Sequence, residues 1–318
     1  MTAPDVTVAV STRDRSHFLA DLVAALSQQT LAPDRFEVVV VDDGSTDATP
    51  EVLAQLATTT PFELRTLRQV NRGAAAGRNV AWREGRGRSI AFTDDDCIPA
   101  PGWLAGGLAA LDDGARVAVG RTLPHPREAD RLALPFARSL TMEDARFFQT
   151  ANAFYRRDDL EAVGGLDEEF STGEDTDLGL RVAALGGSVV FVPEALVHHR
   201  VHTPDARGAV RGALRWVDLP LVVRRHPEMR GALVHRLFWK RSHPPLVLAV
   251  VGAGVALGGH PRAGLALVLP WLHHRLRTAP IVPGRRRRVE LLPAALVVDL
   301  AEVTAMAIGS IRHRVVVL

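Results

Sequence analysis

The sequence predicts an α/β fold, with a mostly parallel central sheet and helices on both faces, and three observations carry this prediction. Short apolar runs alternate with amphipathic helical patterns between residues 5 and 205. Runs such as 36–41 are apolar without alternation, which is typical of parallel strands covered on both faces. Polar clusters follow these runs directly, and ligands of open α/β sheets bind at the carboxyl ends of strands.

The apolar runs and helical patterns place the elements in order. The expected strands are 6–10, 36–41, 62–67, 90–92, 117–119, 150–155 and 189–192. The expected helices are 16–29, a segment beginning near Pro50, 74–83, 101–111, 158–164 and a segment from about 172 to 185. The expected helix caps are Ser16, Asp47 or Thr49, and Ser171 or Thr172. The proline-containing stretch 121–149 is expected to form a long functional loop or short helices.

Composition and charge exclude several protein classes. With 318 residues, 47% of them apolar, and a net charge of +2, the chain is expected to be globular. A single cysteine, Cys97, permits no disulfide framework within the chain and fits a reducing cytosol. The amino-terminal residues lead straight into a strand, so we expect no signal peptide. A nucleic-acid groove is disfavoured because no aromatic residues interleave with the arginines.

Three adjacent carboxylates, Asp94, Asp95 and Asp96, follow the buried run 90–92. Like charges repel, so a divalent cation would stabilise them at a strand end. Oxygen ligands of this kind suit Mg²⁺ or Mn²⁺, which in proteins usually also bind substrate phosphates. The alternative is a solvated acidic turn, which the three residues by themselves do not exclude. Neither a Walker A sequence nor a Gly-x-Gly-x-x-Gly fingerprint after the first strand is present.

Six motifs then occur in a fixed order along the chain. They are residues 38–47 (VVVVDDGSTD), 71–79 (NRGAAAGRN), 93–96 (TDDD), 164–170 (GGLDEEF), 173–181 (GEDTDLGLR) and 193–199 (PEALVHH). Together they resemble the family 2 glycosyltransferases, which have the GT-A fold. Asp14 departs from the family, in which Asn is more usual at that position.

The resemblance implies roles for individual residues. Those implied in binding the nucleotide-sugar donor are Thr12, Arg13, Asp42, Asp43, Arg78, Asp94 and Asp95. Asp96 is implied as the metal ligand, and His199 (or His198) as a further contact to the metal or the diphosphate. Asp175 is implied as the general base, with Glu174 beside it. The alternation of Ala195, Val197 and His199 on one strand face favours His199.

Some of these residues also have ordinary structural explanations. Asp42 or Asp43 could cap the turn before Gly44, and Asp175 lies in the first turn of a helix, where the dipole favours any carboxylate. Asp177 and Arg181 have the spacing of a helix-surface ion pair. Cys97 and Trp103 are expected to be buried packing residues.

The carboxyl-terminal third, residues 206–318, has a different character and is expected to form a second, helical domain after a first domain of residues 1–205. We expect an amphipathic helix over 207–225, an apolar hairpin from 245–259 and 263–272, and a third apolar segment over 291–311. Asp299 and Glu302 indicate that this last segment is interfacial or packed against protein. The arginine run 285–288 would face anionic lipid on the cytoplasmic side of the cell membrane. The alternative is a soluble helical subdomain.

The sequence therefore predicts a metal-dependent, inverting glycosyltransferase. It would move a sugar from a nucleotide-diphosphate donor, with UDP preferred, to a hydroxyl of a lipid-linked or envelope-glycan acceptor. A single carboxylate base is enough for direct displacement at the anomeric carbon. The two alternatives are a sugar-phosphate nucleotidyltransferase and a catalytically silent binding module at the membrane.

Overall fold

The computed structural model describes the backbone of residues 3–278 and 285–318, and the side chains of 3–277 and 288–318. The side chains of Arg285, Arg286 and Arg287 therefore lie outside the described residues, and so does their expected contact with lipid. The chain divides into two compact units. The sheet unit comprises Met1–Glu128, Ser139–Phe170 and Glu174–Arg200. The helical unit comprises Ala129–Arg138, Ser171–Gly173 and Val201–Leu318.

The sheet unit contains one mixed sheet of eight strands. The strands are β1 (Val6–Thr12), β2 (Phe36–Asp42), β3 (Glu63–Arg68), β4 (Ser89–Thr93), β5 (Cys97–Pro99), β6 (Ala115–Pro124), β7 (Asn152–Arg156) and β8 (Ser188–His199). Their order across the sheet is β3-β2-β1-β4-β7-β6-β8-β5. The first half is parallel, as expected, because β1 pairs with β2 and β4, and β2 pairs with β3.

The second half of the sheet is less regular than the sequence pattern predicts. Strand β7 runs antiparallel to both of its neighbours, β4 and β6, while β6 and β8 are parallel. Strand β5, which the apolar pattern did not predict, pairs antiparallel with the end of β8. Four of the seven strand pairs are therefore parallel, and the sheet is mixed.

Six helices of the sheet unit cover the sheet. They are α1 (Ser16–Leu26), α2 (Thr49–Ala57), α3 (Ala74–Glu84), α4 (Trp103–Asp112), α5 (Arg157–Val163) and α6 (Glu174–Ala183). Apolar residues of β2 alternate between two buried clusters, with Val38 and Val40 in one and Val39 and Val41 in the other. Because successive side chains point to opposite faces, this alternation shows that the strand is buried on both sides.

Three of the expected helix caps are wrong in detail. Ser16 is the first residue of α1 rather than its cap, and its Oγ donates to Asp47 Oδ2 at 3.0 Å. The residue before α2 is Ala48, although Asp47 Oδ1 accepts from the Thr49 backbone N–H at 3.0 Å. The Ser171 hydroxyl donates to Asp218 Oδ2 at 2.6 Å instead of serving α6.

The expected long loop over 121–149 is partly regular. Strand β6 continues to Pro124, and a 3-10 helix covers Pro126–Ala133. An isolated bridge then joins Thr122 to Met142. Further 3-10 helices lie at Pro33–Arg35, Arg215–Asp218 and Pro227–Ala232.

The helical unit contains the remaining helices. They are α7 (Ala206–Leu214), α8 (Leu219–Arg225), α9 (His243–Leu257), α10 (Pro261–Thr278), α11 (Arg285–Glu290) and α12 (Leu292–His313). The single helix expected over 207–225 is instead broken into α7, a 3-10 turn and α8. The break coincides with Pro220 in the first turn of α8, where the missing N–H of proline is tolerated.

The apolar hairpin forms as expected, from α9 and α10. The two helices approach closely at Gly252 and Gly264, where a Cβ on Gly252 would lie 2.6 Å from the Gly264 carbonyl oxygen. No larger residue fits this contact without moving the backbone, so the glycines allow the helices to pack directly against each other.

Among the residues with a described conformation, one helix, α12, is long and apolar enough to cross a membrane; this criterion considers length and composition only. It has 22 residues and a mean hydropathy of 1.7 in its most apolar window. Its two acids are buried and paired: Asp299 with Arg275 and Trp271, and Glu302 with Lys240 and His243. These contacts agree with the protein-packed alternative for this segment.

Candidate functional site

Acidic and hydroxyl side chains meet where three neighbouring parallel strands end. Thr12 is the last residue of β1 and pairs in register with Asp42, the last residue of β2. Asp94, Asp95 and Asp96 follow β4, which lies on the other side of β1. Since parallel strands end at the same edge, the sheet brings these residues together.

The three consecutive aspartates make three different sets of contacts. Asp94 Oδ1 accepts from Arg78 Nη2 at 2.5 Å. Asp95 accepts from the Thr12 hydroxyl at 2.6 Å and from Arg15 Nη1 at 2.7 Å. Asp96 Oδ2 accepts from the same Arg15 nitrogen at 2.8 Å. Burial raises the pKa of Asp95 to about 6, although Arg15 acts in the opposite direction.

Arg15 is a functional candidate that sequence reasoning missed. The expected basic residue of this loop was Arg13, whose half-exposed side chain instead lies 3.6 Å from Asp14. The Arg15 side chain is 41% exposed, but its Nη1 contacts two buried carboxylates, those of Asp95 and Asp96. The motif after β1 contains both arginines, and loop sequence does not determine which of two nearby side chains turns toward the site.

His199, rather than His198, faces the aspartates. Strand β5 pairs with β8 so that Cys97 is opposite His199, which brings His199 Nε2 to 3.5 Å from Asp96 Oδ1. The Asp96 carbonyl accepts from the Arg200 N–H at 3.0 Å and fixes this arrangement. The ring of His198 lies against His125, with centroids 6.0 Å apart. Of the two alternatives, the geometry therefore favours His199.

The Asp96–His199 pair fits a divalent cation. His199 Nδ1 lies 2.7 Å from the Arg200 carbonyl oxygen, which can only accept, so we assign the ring proton to Nδ1. In the neutral ring, the Nε2 lone pair then faces the Asp96 carboxylate. Two electron-pair donors at 3.5 Å repel unless a proton or cation lies between them. A carbonyl that orients a histidine in this way is the usual support of a metal ligand.

Cys97 also has its sulfur close to Asp96 and His199, with all three potential ligand atoms within 4.8 Å of one another. Burial raises the pKa of the Cys97 thiol well above its usual value. A thiol that stays protonated is a poor metal ligand, because the thiolate is the coordinating form. Cys97 is therefore a buried packing residue, as expected.

Asp42 and Asp43 shape the loops at this edge of the sheet. Asp42 Oδ1 accepts from the Ser45 N–H at 2.8 Å, as expected for a carboxylate that caps a turn. Asp43 accepts from the backbone N–H groups of Arg72 and Gly73, each at 2.8 Å. Asp43 thus holds the loop before α3 in place. This positioning role is additional to the contact with a nucleotide that the resemblance implies.

Arg78 connects the aspartates to helix α6. Helix α3 lies directly on β1 at the preceding residue, where a Cβ on Gly77 would be 2.2 Å from Ser11 Oγ. This close packing directs Arg78 into the cluster. Its guanidinium group contacts Asp94 at 2.5 Å and Glu174 at 3.3 Å. These carboxylates and the nearby Asp175 raise the pKa of Arg78, so it remains charged although it is buried.

The pKa of Asp175 lies in the range that suits a general base. Burial, and then the neighbouring Glu174 carboxylate, raise the pKa of Asp175 to about 7. A hydrogen bond from the Thr176 N–H and the charge of Arg78 act in the opposite direction. A carboxylate with a pKa of about 7 is roughly half ionised at neutral pH, and its ionised form is basic enough to accept a proton.

A second loop, residues 164–170, is fixed to α3 by Asn79. The buried Asn79 side chain donates to the Leu166 carbonyl and accepts from the Leu166 N–H. It also donates to Glu168 Oε1 at 3.0 Å. Asn79 ends the motif 71–79, and these contacts show that it anchors the motif 164–170.

Several of the predicted residues are thus brought together, whereas the side chains of Asp42 and Asp43 bond to the loops around Ser45 and Arg72. Asp94, Arg78 and Glu174 form a continuous chain of ion pairs that runs from the aspartates after β4 to the amino-terminal turn of α6. Asp175 follows Glu174 in that turn and is affected electrostatically by Arg78 and Asp94. Arg13 lies outside the cluster. The ion pairs connect Asp94 with Glu174, and Asp175 is linked to them by electrostatic interaction with Arg78, Asp94 and Glu174.

Comparison with known proteins gives a consistent result. A profile described as Glycosyl transferase family 2 matches residues 7–164, and one described as Glycosyl transferase family group 2 matches residues 94–272. Glycosyltransferase AglE of Haloferax volcanii is 27% identical over 205 aligned residues, covering 62% of this chain and 67% of AglE. Validoxylamine A glucosyltransferase of Streptomyces hygroscopicus subsp. limoneus is 28% identical, covering 74% of this chain and 59% of that enzyme. The chain thus spans about two thirds or less of these relatives.

A solved structure shows the same fold. Mannosyltransferase PcManGT from Pyrobaculum calidifontis, in complex with GDP-Man and Mn²⁺, superposes with a TM-score of 0.67. It is 21% identical in sequence, and the alignment covers 95% of this chain and 88% of that one. At this identity the likeness shows the fold alone, which is the GT-A fold.

Proposed function

This chain is a glycosyltransferase of family 2, and we propose that it uses a divalent cation and a nucleotide-diphosphate sugar to glycosylate a hydroxyl group with inversion. The observation that carries the proposal is the ion-pair chain Asp94–Arg78–Glu174. It connects the aspartates after β4, where the cation would bind, with the turn of α6 that contains Asp175, whose pKa is raised. The sheet unit would carry out the transfer.

Asp175 would act on the acceptor. Its carboxylate takes the proton of the acceptor hydroxyl as the oxygen attacks the anomeric carbon. Arg78 supports this step by holding Glu174 and Asp94, so that negative charge beside Asp175 is partly compensated. One base opposite one leaving group gives inversion, so a second catalytic carboxylate is not needed.

Asp96 and His199 would hold Mg²⁺ or Mn²⁺. When bound, the ion stabilises the negative charge that develops on the leaving diphosphate. Arg15 keeps Asp95 and Asp96 in fixed orientations, and Thr12 does the same for Asp95. The remaining predicted donor contacts are Arg13, Asp42 and Asp43, of which Asp43 would act by shaping the loop before α3.

The acceptor is proposed to be a lipid-linked or envelope glycan at the cytoplasmic face of the cell membrane. Support comes from the apolar length of α12 and from the arginine- and histidine-rich helical unit. The proposed domain boundary remains near residue 205, close to the division between the two units.

A donor panel tests the proposal. Release of nucleoside diphosphate from UDP-, GDP- and dTDP-sugars would be measured with Mn²⁺, with Mg²⁺ and with EDTA. We expect metal-dependent release that is fastest with a UDP-sugar. Metal-dependent release with GDP or dTDP only would reject the UDP preference and retain the enzyme. If no donor gave metal-dependent release, the silent binding module would be favoured.

A further inference from the structure

The helical unit contains a cavity of about 350 Å³ that plays no part in the site described above. Its lining comes from the helical unit alone: from helices α7, α10, α11 and α12, the segment around Phe136, Trp216, and the residues just before α9. A volume of this size is in the range of pockets that bury a small organic ligand.

Much of the cavity wall is formed by apolar side chains. Helix α7 contributes Ala209 and Ala213, and α12 contributes Leu292, Ala295 and Val298. On α12 these residues recur at spacings of three, so they form one stripe along the helix. A stripe of small and aliphatic side chains leaves room for an apolar chain to lie against the helix.

The charged part of the lining is unbalanced. Four cationic residues, Arg138, Lys240, Arg275 and Arg288, line the cavity together with two acids, Asp299 and Glu302. Both acids are already paired, Asp299 with Arg275 and Glu302 with Lys240. Counted over the lining, cationic side chains outnumber acidic ones by two, a net positive charge that favours an anion.

The surface of the same unit indicates where such an anion would come from. Large apolar side chains are exposed on all three long helices: Leu257 of α9 is 90% exposed, Leu265 of α10 58% and Ile311 of α12 80%. Exposed apolar surface of this extent is typical of contact with a membrane or a partner. Together with a cationic, apolar-walled cavity, it favours a lipid over a free phosphate ion.

We propose that this cavity binds one anionic lipid, with the phosphate among the cationic side chains and the start of an acyl chain along the Leu292–Ala295–Val298 stripe. The site is separate from the proposed chemistry of the sheet unit and does not depend on it. Lipid binding here would attach the helical unit to an anionic membrane surface.

The test uses the full-length chain and a soluble short-chain lipid, dihexanoyl phosphatidic acid, in isothermal titration calorimetry. Dihexanoyl phosphatidylcholine tests the need for net negative charge, and inorganic phosphate tests the need for the acyl chains. We expect saturable binding of phosphatidic acid that is at least about tenfold tighter than that of either control ligand. Equal binding of phosphatidylcholine, or equal binding of inorganic phosphate, would overturn the proposal.

Two substitutions on one helix locate the site. Ala295→Trp fills the cavity, whereas Val297→Trp adds the same side chain at a position of α12 that is 54% exposed. The first is expected to weaken phosphatidic acid binding at least about tenfold and the second to leave it unchanged. Equal affinities of two folded variants would place the lipid elsewhere. If Ala295→Trp did not fold, Arg138→Gln would take its place, and unchanged affinity in that variant would equally reject the site.

Discussion

His198 and His199 are adjacent in β8, but they have different surroundings. His199 Nε2 lies 3.5 Å from Asp96, while the His198 ring lies against His125. Successive residues of a strand point to opposite faces, so only one of the two can face the aspartates. Sequence alternation was enough to favour His199, and the strand pairing of Cys97 with His199 explains why it approaches Asp96.

His199→Ala is therefore expected to weaken Mn²⁺ binding, because it removes a nitrogen ligand. Loss of a supporting residue around a metal typically costs ten- to a hundredfold in affinity, so loss of the ligand itself should cost at least about tenfold. His198→Ala is the matched control, and it should retain the affinity of the natural protein. Electron paramagnetic resonance titration of free Mn²⁺ measures both variants. Equal affinity for the two variants would remove His199 from the metal site.

Asp175 gives a prediction about pH. A general base must be ionised to act, and burial raises the pKa of Asp175 to about 7. Below that pH the base is protonated, so kcat/KM should fall about tenfold per pH unit, and above it the rate should level off. Initial rates between about pH 5 and 9, with Mn²⁺ binding measured separately at each pH, provide the test. A rate that stays constant down to about pH 5 would contradict this role.

Asp96 and Asp175 lie in motifs that fix both the residue type and its neighbours, and their roles stay predictions. Arg15 was missed because it competes with Arg13 in an irregular loop, where side-chain direction follows no period. Asp177 and Arg181 do form the expected i,i+4 pair, at 2.8 Å, but Asp177 is fully buried rather than on the surface.

At the scale of elements, Arg78 joins three segments of the sheet unit. It projects from α3 and pairs with Asp94 after β4 and with Glu174 at the start of α6. Its side chain is 10% exposed, so its charge is poorly screened by solvent. These contacts make α3 the connection between the aspartates and the helix that carries Asp175.

Arg78→Gln is expected to destabilise the fold and to alter the pH profile. Two carboxylates would lose their partner, at a cost of about 2–4 kcal/mol, which is below the value for a fully buried pair because both acids keep some solvent contact. Arg78 also lowers the pKa of Asp175, so the acid limb of the rate profile should move to higher pH. Thermal unfolding and the pH–rate profile measure the two effects. Arg83→Gln, at an exposed position on the same helix, is the control. It loses an exposed hydrogen bond to the Gly164 carbonyl, so it should leave the pH profile unchanged and destabilise the fold less than Arg78→Gln.

The strands were easier to predict than their pairing. Buried runs identified β1, β2 and β4, and the polar residues after them located the site. The reversal of β7 and the short β5 depend on pairing between residues far apart in sequence, which no local pattern contains. The single helix expected over 207–225 is broken for a local reason, because Pro220 lies in the first turn of a new helix, α8.

For the whole molecule, the two units differ in surface chemistry. The sheet unit contains the acidic site, whereas the helical unit exposes apolar side chains and contains α12. The division at Arg200 and Val201 is close to the composition change seen in the sequence. That change was visible from sequence because charge and apolar content need no knowledge of long-range contacts.

The full-length chain is therefore expected to float with liposomes in a density gradient. Binding should be stronger with anionic than with neutral vesicles at about 0.1 M salt, since the helical unit is rich in arginine and histidine. Part of the binding should persist at about 1 M salt, where charges are screened and apolar contacts remain. Recovery of all the protein in the soluble fraction with both vesicle types would remove the membrane proposal.

In the proposed mechanism, Asp96 and Asp175 serve different steps of one reaction. Asp96 holds a cation, and Asp175 accepts a proton. The most direct measurement compares Asp96→Asn and Asp175→Asn for Mn²⁺ binding and for the rate of sugar transfer. Asp158→Asn, which changes an exposed acid in the first turn of α5, is the control. We predict that Asp175→Asn binds Mn²⁺ normally but transfers sugar at least about a hundredfold more slowly, whereas Asp96→Asn loses both. Transfer by Asp175→Asn at the natural rate would contradict the account.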